Sequence, residues 1–429
     1  MNLPASFFEN NRKRLTSVLE EKALVLLFSN DKMPRTGDQC FPFRQNSNLF
    51  YLSGINQPQT VLALCPEHPE KNMREILFME ENTAKAALWE GDACTEQQAE
   101  EISGVKTVFA VSEFDTVLQN LMYHSQNVYF DMSESVKFSS FVPSAQQRHI
   151  QQIQAKYPLH TCCRLFPFLR DLRLIKSEEE LSLMQHACNI TAKAFDRVLR
   201  TVKPGTAEYQ IEAEITHEFI RSQIRSHAFD PIVASGKNAC VLHYSRNHSV
   251  CKDGDLLLLD FGAEYRNYAA DLSRTIPVNG TFSARQKQVY DACYRVYEYA
   301  KTLFVPGMSI AKVYKKVCAF MELELIGLGL FSKEDVQKQH SEHEWVKKYF
   351  MHGISHFVGL DVHDVGTTDI VFDENMVLSC EPGIYIPNES VGIRIETMML
   401  VRNTPIDLMA DVPVKSEDIE RLMKERNLS

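Results

Sequence analysis

The sequence lacks a long apolar run near its start and lacks an excess of positive charge. Its 429 residues include 46 Lys and Arg against 56 Asp and Glu, a formal net charge of −10 at pH 7. This balance argues against a nucleic acid or an anionic membrane surface as partner. The longest early apolar run, Ala23–Phe28, is too short for a signal-peptide core or a membrane span. We therefore expect neither nucleic acid nor a membrane as partner.

The chain also lacks a Cys-x-x-Cys motif, although it contains eleven cysteines. Their number is odd, and only Cys162 and Cys163 are adjacent. Several others, including Cys188, Cys293 and Cys318, fall in helical patterns where a small apolar residue would serve. This usage favours a reducing compartment, and we predict a cytoplasmic location.

A chain of 429 residues is too long for one hydrophobic core, so two domains are expected. Strand-like and helix-like segments alternate over the first part, which predicts an α/β domain over residues 1–172 without a catalytic constellation of its own. The second domain then covers residues 173–429. The predicted strands of the first domain are Ala23–Ser29, Leu49–Leu52, Val61–Leu64, Glu75–Met79 and Val128–Phe130, and its predicted helices are Glu96–Ser103 and Glu113–Ser125.

The second domain shows signs of an internal duplication. Ser177 and Glu180 form a capping-box pattern that predicts a helix running toward Arg200. About 100 residues apart, the segments 202–206 and 305–309 both place Pro-Gly before a Thr or Ser suited to N-capping. Two such units fit a pseudo-twofold α+β domain.

Five residues in the last 170 positions have the character of one metal site: Asp260, Asp271, His356, Glu381 and Glu396. Asp260 ends a run of four leucines, His356 closes a His-Gly-x-Ser-His segment and Glu381 precedes Pro-Gly. Any one acid is more often a solvated surface group, but the full set is hard to explain by coincidence. Four carboxylates cannot gather in an apolar interior without a cation. Oxygen ligands with one nitrogen favour Mn, Co, Fe or Zn, and four carboxylates suffice to bridge two ions.

The strand pattern predicts how these residues meet. Residues 256–265 and 269–278 are expected to form a hairpin with a three-residue turn at 266–268, which places Asp260 and Asp271 opposite each other. Residues 392–400 are expected to form one strand, with Arg394 and Glu396 on one face. Glu381, before a proline, is expected in extended geometry at a strand end.

Four further residues are candidates for a functional role outside the ligand set: His243, His352, His363 and Arg394. Taken alone, each histidine is more often a surface or hydrogen-bonded core residue than a functional one. His352 lies four residues before His356, but the glycine between them argues for a strand or loop instead of a helix. On a strand, both imidazoles would reach the same cleft.

The chain resembles the creatinase/aminopeptidase P/prolidase family, and within it the bacterial aminopeptidase P group. The resemblance covers nearly the whole chain and is most specific in the second half. It implies an aminopeptidase P type N-terminal domain, a pita-bread catalytic domain with pseudo-twofold duplication, and a homodimer or homotetramer. The resembling segments are Phe43–Asn48, Tyr51–Gly54, Leu259–Tyr265, Tyr268–Thr275, Met351–Asp364 and Glu381–Tyr385.

The resemblance implies a role for each proposed ligand. Asp260 resembles the ligand that holds one ion alone, and Asp271 and Glu396 resemble the bridging carboxylates. His356 and Glu381 resemble the ligands of the second ion, and Glu381 would also relay the proton of the attacking water. Two ions are implied, with Mn as the family expectation.

The remaining roles are also implied by the resemblance. His243 and His363 resemble imidazoles that move a proton and stabilise the tetrahedral intermediate. His352 and Arg394 resemble residues around a proline pocket. Trp89 resembles an aromatic residue that a neighbouring subunit lends to the cleft.

Together these features predict a dinuclear Xaa-Pro aminopeptidase, in which a metal-bridging hydroxide attacks the peptide bond before proline. Prolidase, a dipeptidase with the same ions, is the alternative, and a non-catalytic pita-bread binding module is a more distant one. The short connection 387–390 and the basic stretch 245–248 depart from the aminopeptidase P pattern. They leave peptide length and first-residue preference open.

Overall fold

The computed structural model describes residues 3–81, 88–89, 91, 93–132 and 141–425. The chain divides into two compact units, Met1–Arg173 and Leu174–Ser429. No helix among the described residues combines the length and apolar character needed to cross a membrane.

The first unit is built on a six-stranded mixed sheet flanked by helices. The strands of the whole unit are β1 Ala23–Phe28, β2 Pro34–Thr36, β3 Gln39–Cys40, β4 Val61–Leu64, β5 Glu75–Met79, β6 Thr107–Ala110, β7 Asn127–Phe130 and β8 Thr161–Arg164. The sheet order is β6-β5-β4-β1-β7-β8, and β2 pairs with β3 separately. The helices are Ala5–Thr16, Ser47–Ser53, Glu96–Ser103, Phe114–His124, Ala145–Lys156 and Phe166–Leu174. Strand β1 is buried along its whole length, which explains its uninterrupted apolar sequence.

The predicted strand at Leu49–Leu52 is wrong, because this segment belongs to the helix Ser47–Ser53. The Asn46 side chain accepts hydrogen bonds from the first free backbone N–H groups, which caps the helix. Gly54 ends the helix with φ of 70°, a conformation that favours glycine. These caps outweigh the strand-like local composition.

In the second unit, two helices followed by antiparallel strands occur twice along the chain. The strands are β9 Ile232–Ser235, β10 Leu256–Phe261, β11 Glu264–Tyr265, β12 Tyr268–Ala269, β13 Leu272–Pro277, β14 Val377–Cys380, β15 Gly383–Ile386, β16 Val391–Arg394, β17 Thr397–Leu400 and β18 Ile406–Asp407. The helices are Glu178–Thr201, Glu208–Arg221, Ala284–Lys301, Ile310–Gly327, Lys333–Gln337, Glu344–Tyr349 and Ser416–Glu425. The first set forms the sheet β13-β10-β9 and the ribbon β11-β12, and the second forms β14-β17-β18 and β15-β16. This repeated order agrees with the expected duplication.

The helix starts in the two halves are only partly as predicted. The predicted capping box at Ser177 is present and opens Glu178–Thr201. Ser309 caps Ile310–Gly327 by accepting a bond from Lys312 N–H. Thr206 is not a cap, because the corresponding helix begins one residue later, after Ala207.

The hairpin that carries the two aspartates has a different register from the one expected. Its turn consists of Arg266 and Asn267, with φ of 52° and 67°, as in a two-residue hairpin turn. Asp260 therefore pairs with Ser273 and not with Asp271. Asp271 lies two positions before Ser273, directly before the start of β13. It nevertheless lines the same cleft as Asp260.

The hydrogen-bonded pairing of the two hairpin strands is interrupted at Gly262, between the β10–β13 ladder and the β11–β12 ribbon. A Cβ atom at this position would lie 1.7 Å from the Ala270 carbonyl oxygen, so the two chains approach too closely for any side chain. The strands expected over 256–265 and 269–278 are for this reason divided into β10 and β13 and the short ribbon β11-β12.

The single strand expected over 392–400 is wrong. The segment is divided into β16, which pairs with β15, and β17, which pairs with β14. Between them, Ile395 N–H donates to the Pro382 carbonyl at 3.2 Å, and Glu396 N–H donates to the Ser273 carbonyl at 3.0 Å. Pro382 has no N–H group, so the ladder cannot continue there. The resulting corner joins Glu396 to the first half of the unit.

Candidate active site

A cleft of about 510 Å³ in the second unit collects nine of the residues singled out from the sequence. It is lined by His243, Asp260, Asp271, His352, His356, His363, Glu381, Arg394 and Glu396, together with Phe229, Asp230, Ile232, Leu242, Ser245 and Val362. The nine come from both halves of the unit. Trp89 lies in the first unit, where its side chain is 78% exposed, and it is not among the lining residues.

Three proposed ligands are close enough to share one ion. Ligand atoms of Asp271, His356 and Glu396 all lie within 4.8 Å of one another. His356 Nε2 is 3.3 Å from Asp271 Oδ2 and 3.7 Å from Glu381 Oε1. His356 Nδ1 lies 3.1 Å from the Phe357 carbonyl oxygen, which favours a proton on Nδ1 and leaves Nε2 directed at the carboxylates.

Asp260 offers one oxygen to the cleft and uses the other to bind an arginine. Arg394 Nη2 donates to Asp260 Oδ2 at 2.7 Å. Asp260 Oδ1 is buried and accepts no hydrogen bond from the described part of the chain. A buried carboxylate oxygen without a partner is costly, and a cation would satisfy it.

Glu381 is held at the point where β14 passes into β15. Its backbone N–H donates to the Ile354 carbonyl at 3.0 Å. Ser379 donates its hydroxyl proton to Glu381 Oε1 at 3.2 Å and accepts from His356 N–H at 2.9 Å. Ser379 thus fixes the spacing between an imidazole ligand and a carboxylate ligand, and it was not identified from the sequence.

The electrostatics of the cleft fit a cation. Burial raises the pKa of Asp271 to about 7, although the hydrogen bond to His356 acts against this shift. Burial also raises the pKa of Asp260. Burial, followed by the charges of Asp271 and Glu381, raises the pKa of Glu396 well above its usual value. A divalent ion would relieve this repulsion, so the donor set fits a metal of the Mn, Co, Fe or Zn type.

Tyr385 joins the two residues predicted to surround a proline pocket. Its hydroxyl accepts from Arg394 Nη1 at 2.9 Å and lies 2.9 Å from His352 Nε2. Burial lowers the pKa of His352, which favours the neutral imidazole, and Nδ1 lies 2.7 Å from the Gly353 carbonyl oxygen, so Nε2 is suited to accept a hydrogen bond from the Tyr385 hydroxyl. Arg394 Nε also donates to Ser273 Oγ, and Ser273 in turn donates to Glu396 at 2.6 Å. Tyr385 was missed because a tyrosine on an apolar strand gives no signal of its own.

The two other histidines line the cleft and come from different halves of the unit. His243 follows the short helical segment Gly236–Cys240 and is exposed. The His363 ring lies 4.2 Å from the His356 ring, measured between centroids. Both are therefore placed to reach a substrate held beside the ligands.

A buried ion pair supports the segment that carries His356 and His363. Lys176 Nζ lies 3.1 Å from Asp364 Oδ2, and both side chains are 1% exposed. A Cβ atom on Gly359 would lie 2.2 Å from Asp364 Oδ2, so only glycine fits beside the pair. The ion pair and this glycine fix the course of the chain between the two imidazoles.

Four carboxylates and an imidazole meet in this cleft, and they come from the two halves of the unit. Such a set of ligands is typical of metal-dependent hydrolytic enzymes. The chain belongs to metallopeptidase family M24, whose sequence profile matches residues 182–403. The profile of the aminopeptidase P N-terminal domain matches residues 8–129. The resemblance and the fold class predicted from the sequence are confirmed.

The similarity to individual relatives extends over nearly the whole chain. The Xaa-Pro aminopeptidase of Escherichia coli (strain K12) is 35% identical over 97% of each chain. Xaa-Pro aminopeptidase 3 of Homo sapiens is 29% identical over 96% of this chain and 84% of its own. The solved structure of zinc-substituted E. coli aminopeptidase P in complex with product has a TM-score of 0.88, with 32% identity and 99% of each chain covered.

Proposed function

We propose that the chain is an Xaa-Pro aminopeptidase, which hydrolyses the bond between an N-terminal residue and a following proline. The observation that carries this proposal is the meeting of all five predicted ligands with His243, His352, His363 and Arg394 in one cleft. The relatives named Xaa-Pro aminopeptidase support it, because they match nearly the full length. A non-catalytic binding module is disfavoured by the complete ligand set.

We propose that the cleft holds two divalent ions, with Mn as the expected metal and Co, Zn or Fe as alternatives. Asp260 would bind one ion, His356 and Glu381 the other, and Asp271 and Glu396 both. When bound, such ions lower the pKa of water and stabilise an oxyanion.

The chain's own residues then carry the remaining steps. Glu381 would take the proton of the attacking water and pass it to the proline nitrogen as the carbon–nitrogen bond breaks. His243 and His363 would donate hydrogen bonds to the developing oxyanion, a contribution of a few kcal/mol. Arg394 and His352, whose side chains both contact the Tyr385 hydroxyl, would form the pocket for the proline ring. A prolyl amide carries no N–H, so the pocket must recognise ring shape.

The test compares Ala-Pro-Ala with Ala-Pro as substrates for Mn-loaded protein. We expect release of alanine from the tripeptide, and loss of this activity after treatment with a chelator. Cleavage of the dipeptide alone would favour prolidase. A folded, Mn-loaded protein that cleaves neither peptide would contradict the proposal.

Several further expectations belong with this proposal. We propose domain limits of 1–172 and 173–429, a homodimer or homotetramer, and a cytoplasmic location. The role of Trp89 as a residue lent to a neighbouring cleft also stays a prediction, to be tested by sedimentation and by activity of Trp89→Ala.

A further inference from the structure

One carboxylate in the cleft has no part in the proposed chemistry. Asp230 lines the cleft from the connection between the helix Glu208–Arg221 and β9, and it is exposed. No hydrogen bond or ion pair to another residue in the described ranges holds its carboxylate. Asp230 is therefore available to a ligand.

Asp230 is the exposed member of a group of cleft residues that is otherwise apolar, Phe229, Ile232 and Leu242, which we call the apolar wall. Ile232 is only 6% exposed and is the register partner of Asp260 in the β9–β10 ladder, so the wall begins directly beside a proposed metal ligand. Phe229 and Leu242 extend the apolar surface. The cleft thus has a buried apolar residue, Ile232, beside a proposed metal ligand and an exposed carboxylate, Asp230, close to it in sequence.

The next step rests on the proposed function. In an Xaa-Pro aminopeptidase the amine of the first residue lies close to the ligands, and the proline ring is assigned to His352 and Arg394. The wall of Phe229, Ile232 and Leu242 is then an apolar surface available to the side chain of the first residue.

We propose that Asp230 makes the cleft selective for a first residue with a long basic side chain, Lys or Arg. The methylene groups of such a side chain would pack along the apolar wall, while its cationic end reaches Asp230. A neutral side chain of the same length would gain only the apolar contact. Since the carboxylate is exposed, the gain is that of a solvated ion pair, about three- to five-fold in kcat/KM.

The experiment measures kcat/KM for Lys-Pro-Ala and norleucine-Pro-Ala, which differ in the terminal ammonium. We expect the wild type to prefer the lysine peptide about three- to five-fold at low salt, and less at high salt because exposed charges are screened. Asp230→Asn should bring the ratio of the two values close to one. Asp411→Asn, an exposed acid outside the cleft, should leave the ratio unchanged.

The outcomes separate this proposal from the proposed function. If the wild type cleaves norleucine-Pro-Ala but shows no lysine preference, the specificity role of Asp230 is overturned while the Xaa-Pro activity stands. An equal loss with both peptides in Asp230→Asn would also overturn it, because Asp230 would then act on the shared backbone amine. If the wild type cleaves neither peptide, the proposed function fails, and this inference fails with it.

Discussion

Replacement of Asp271 by asparagine is expected to lower kcat/KM on Ala-Pro-Ala by at least about 100-fold. Asp271 Oδ2 lies 3.3 Å from His356 Nε2, and ligand atoms of the two residues lie within 4.8 Å of a Glu396 oxygen. An amide removes the negative charge that would hold a cation at this point. The measurement is steady-state hydrolysis at several Mn concentrations, together with bound metal determined by elemental analysis.

The same variant should keep its fold. Asp271 is one of several crowded, buried carboxylates, so removal of its charge relieves repulsion in the metal-free protein. The thermal unfolding midpoint of chelator-treated Asp271→Asn should therefore be no lower than that of chelator-treated wild type. Asp411→Asn is the matched control and should retain activity. Full activity and full metal content in Asp271→Asn would refute the assigned site.

Loss of the buried lysine is expected to produce the largest change in stability. Lys176→Met would leave Asp364 charged and without this partner in a site where both side chains are 1% exposed. Removal of one partner of a buried pair typically costs about 3–5 kcal/mol in the free energy of unfolding. Because Asp364 adjoins His363, we also expect kcat to fall more than KM rises.

Urea unfolding followed by hydrogen exchange of peptides from residues 174–425 would measure this change without mixing the two units. The control is Lys315→Met, which breaks a pair with Glu342 of similar length, 3.0 Å, but with side chains 71% and 64% exposed. Such a surface pair is worth at most about 1 kcal/mol. Equal destabilisation by the two substitutions would show that burial of the Lys176–Asp364 pair has no special effect.

The ligand set could be predicted from the sequence because the residues around its members indicate burial, and burial of a charged group needs a physical reason. A carboxylate directly after four leucines, or one before Pro-Gly at the end of a strand, is too costly to bury without a purpose. The exact register could not be found in the same way. It depends on Arg266 and Asn267 both taking positive φ, which neither residue requires.

The supporting residues could not be recognised from the sequence, because their roles arise only from long-range contacts. Tyr385 contacts His352 and Arg394 from within an apolar strand, and Lys176 contacts Asp364 from a position 188 residues away. The strand predicted over 392–400 failed for a related reason. Its break depends on Pro382, which lies in the connection between β14 and β15 and accepts a hydrogen bond from Ile395 N–H, a contact that the local sequence of 392–400 does not reveal.

The two-residue turn at Arg266 and Asn267 sets a limit on how this protein can change in length. Asp260 lies on β10 and Asp271 directly precedes β13, so one residue inserted into either strand between the aspartates and the turn would shift the register that brings both carboxylates to the cleft. Substitutions within the turn are compatible with the site as long as φ stays positive, which favours Gly, Asn and Asp there. In functional descendants of this chain, insertions and deletions should therefore collect in other connections, and the spacing of eleven residues between the two aspartates should be kept.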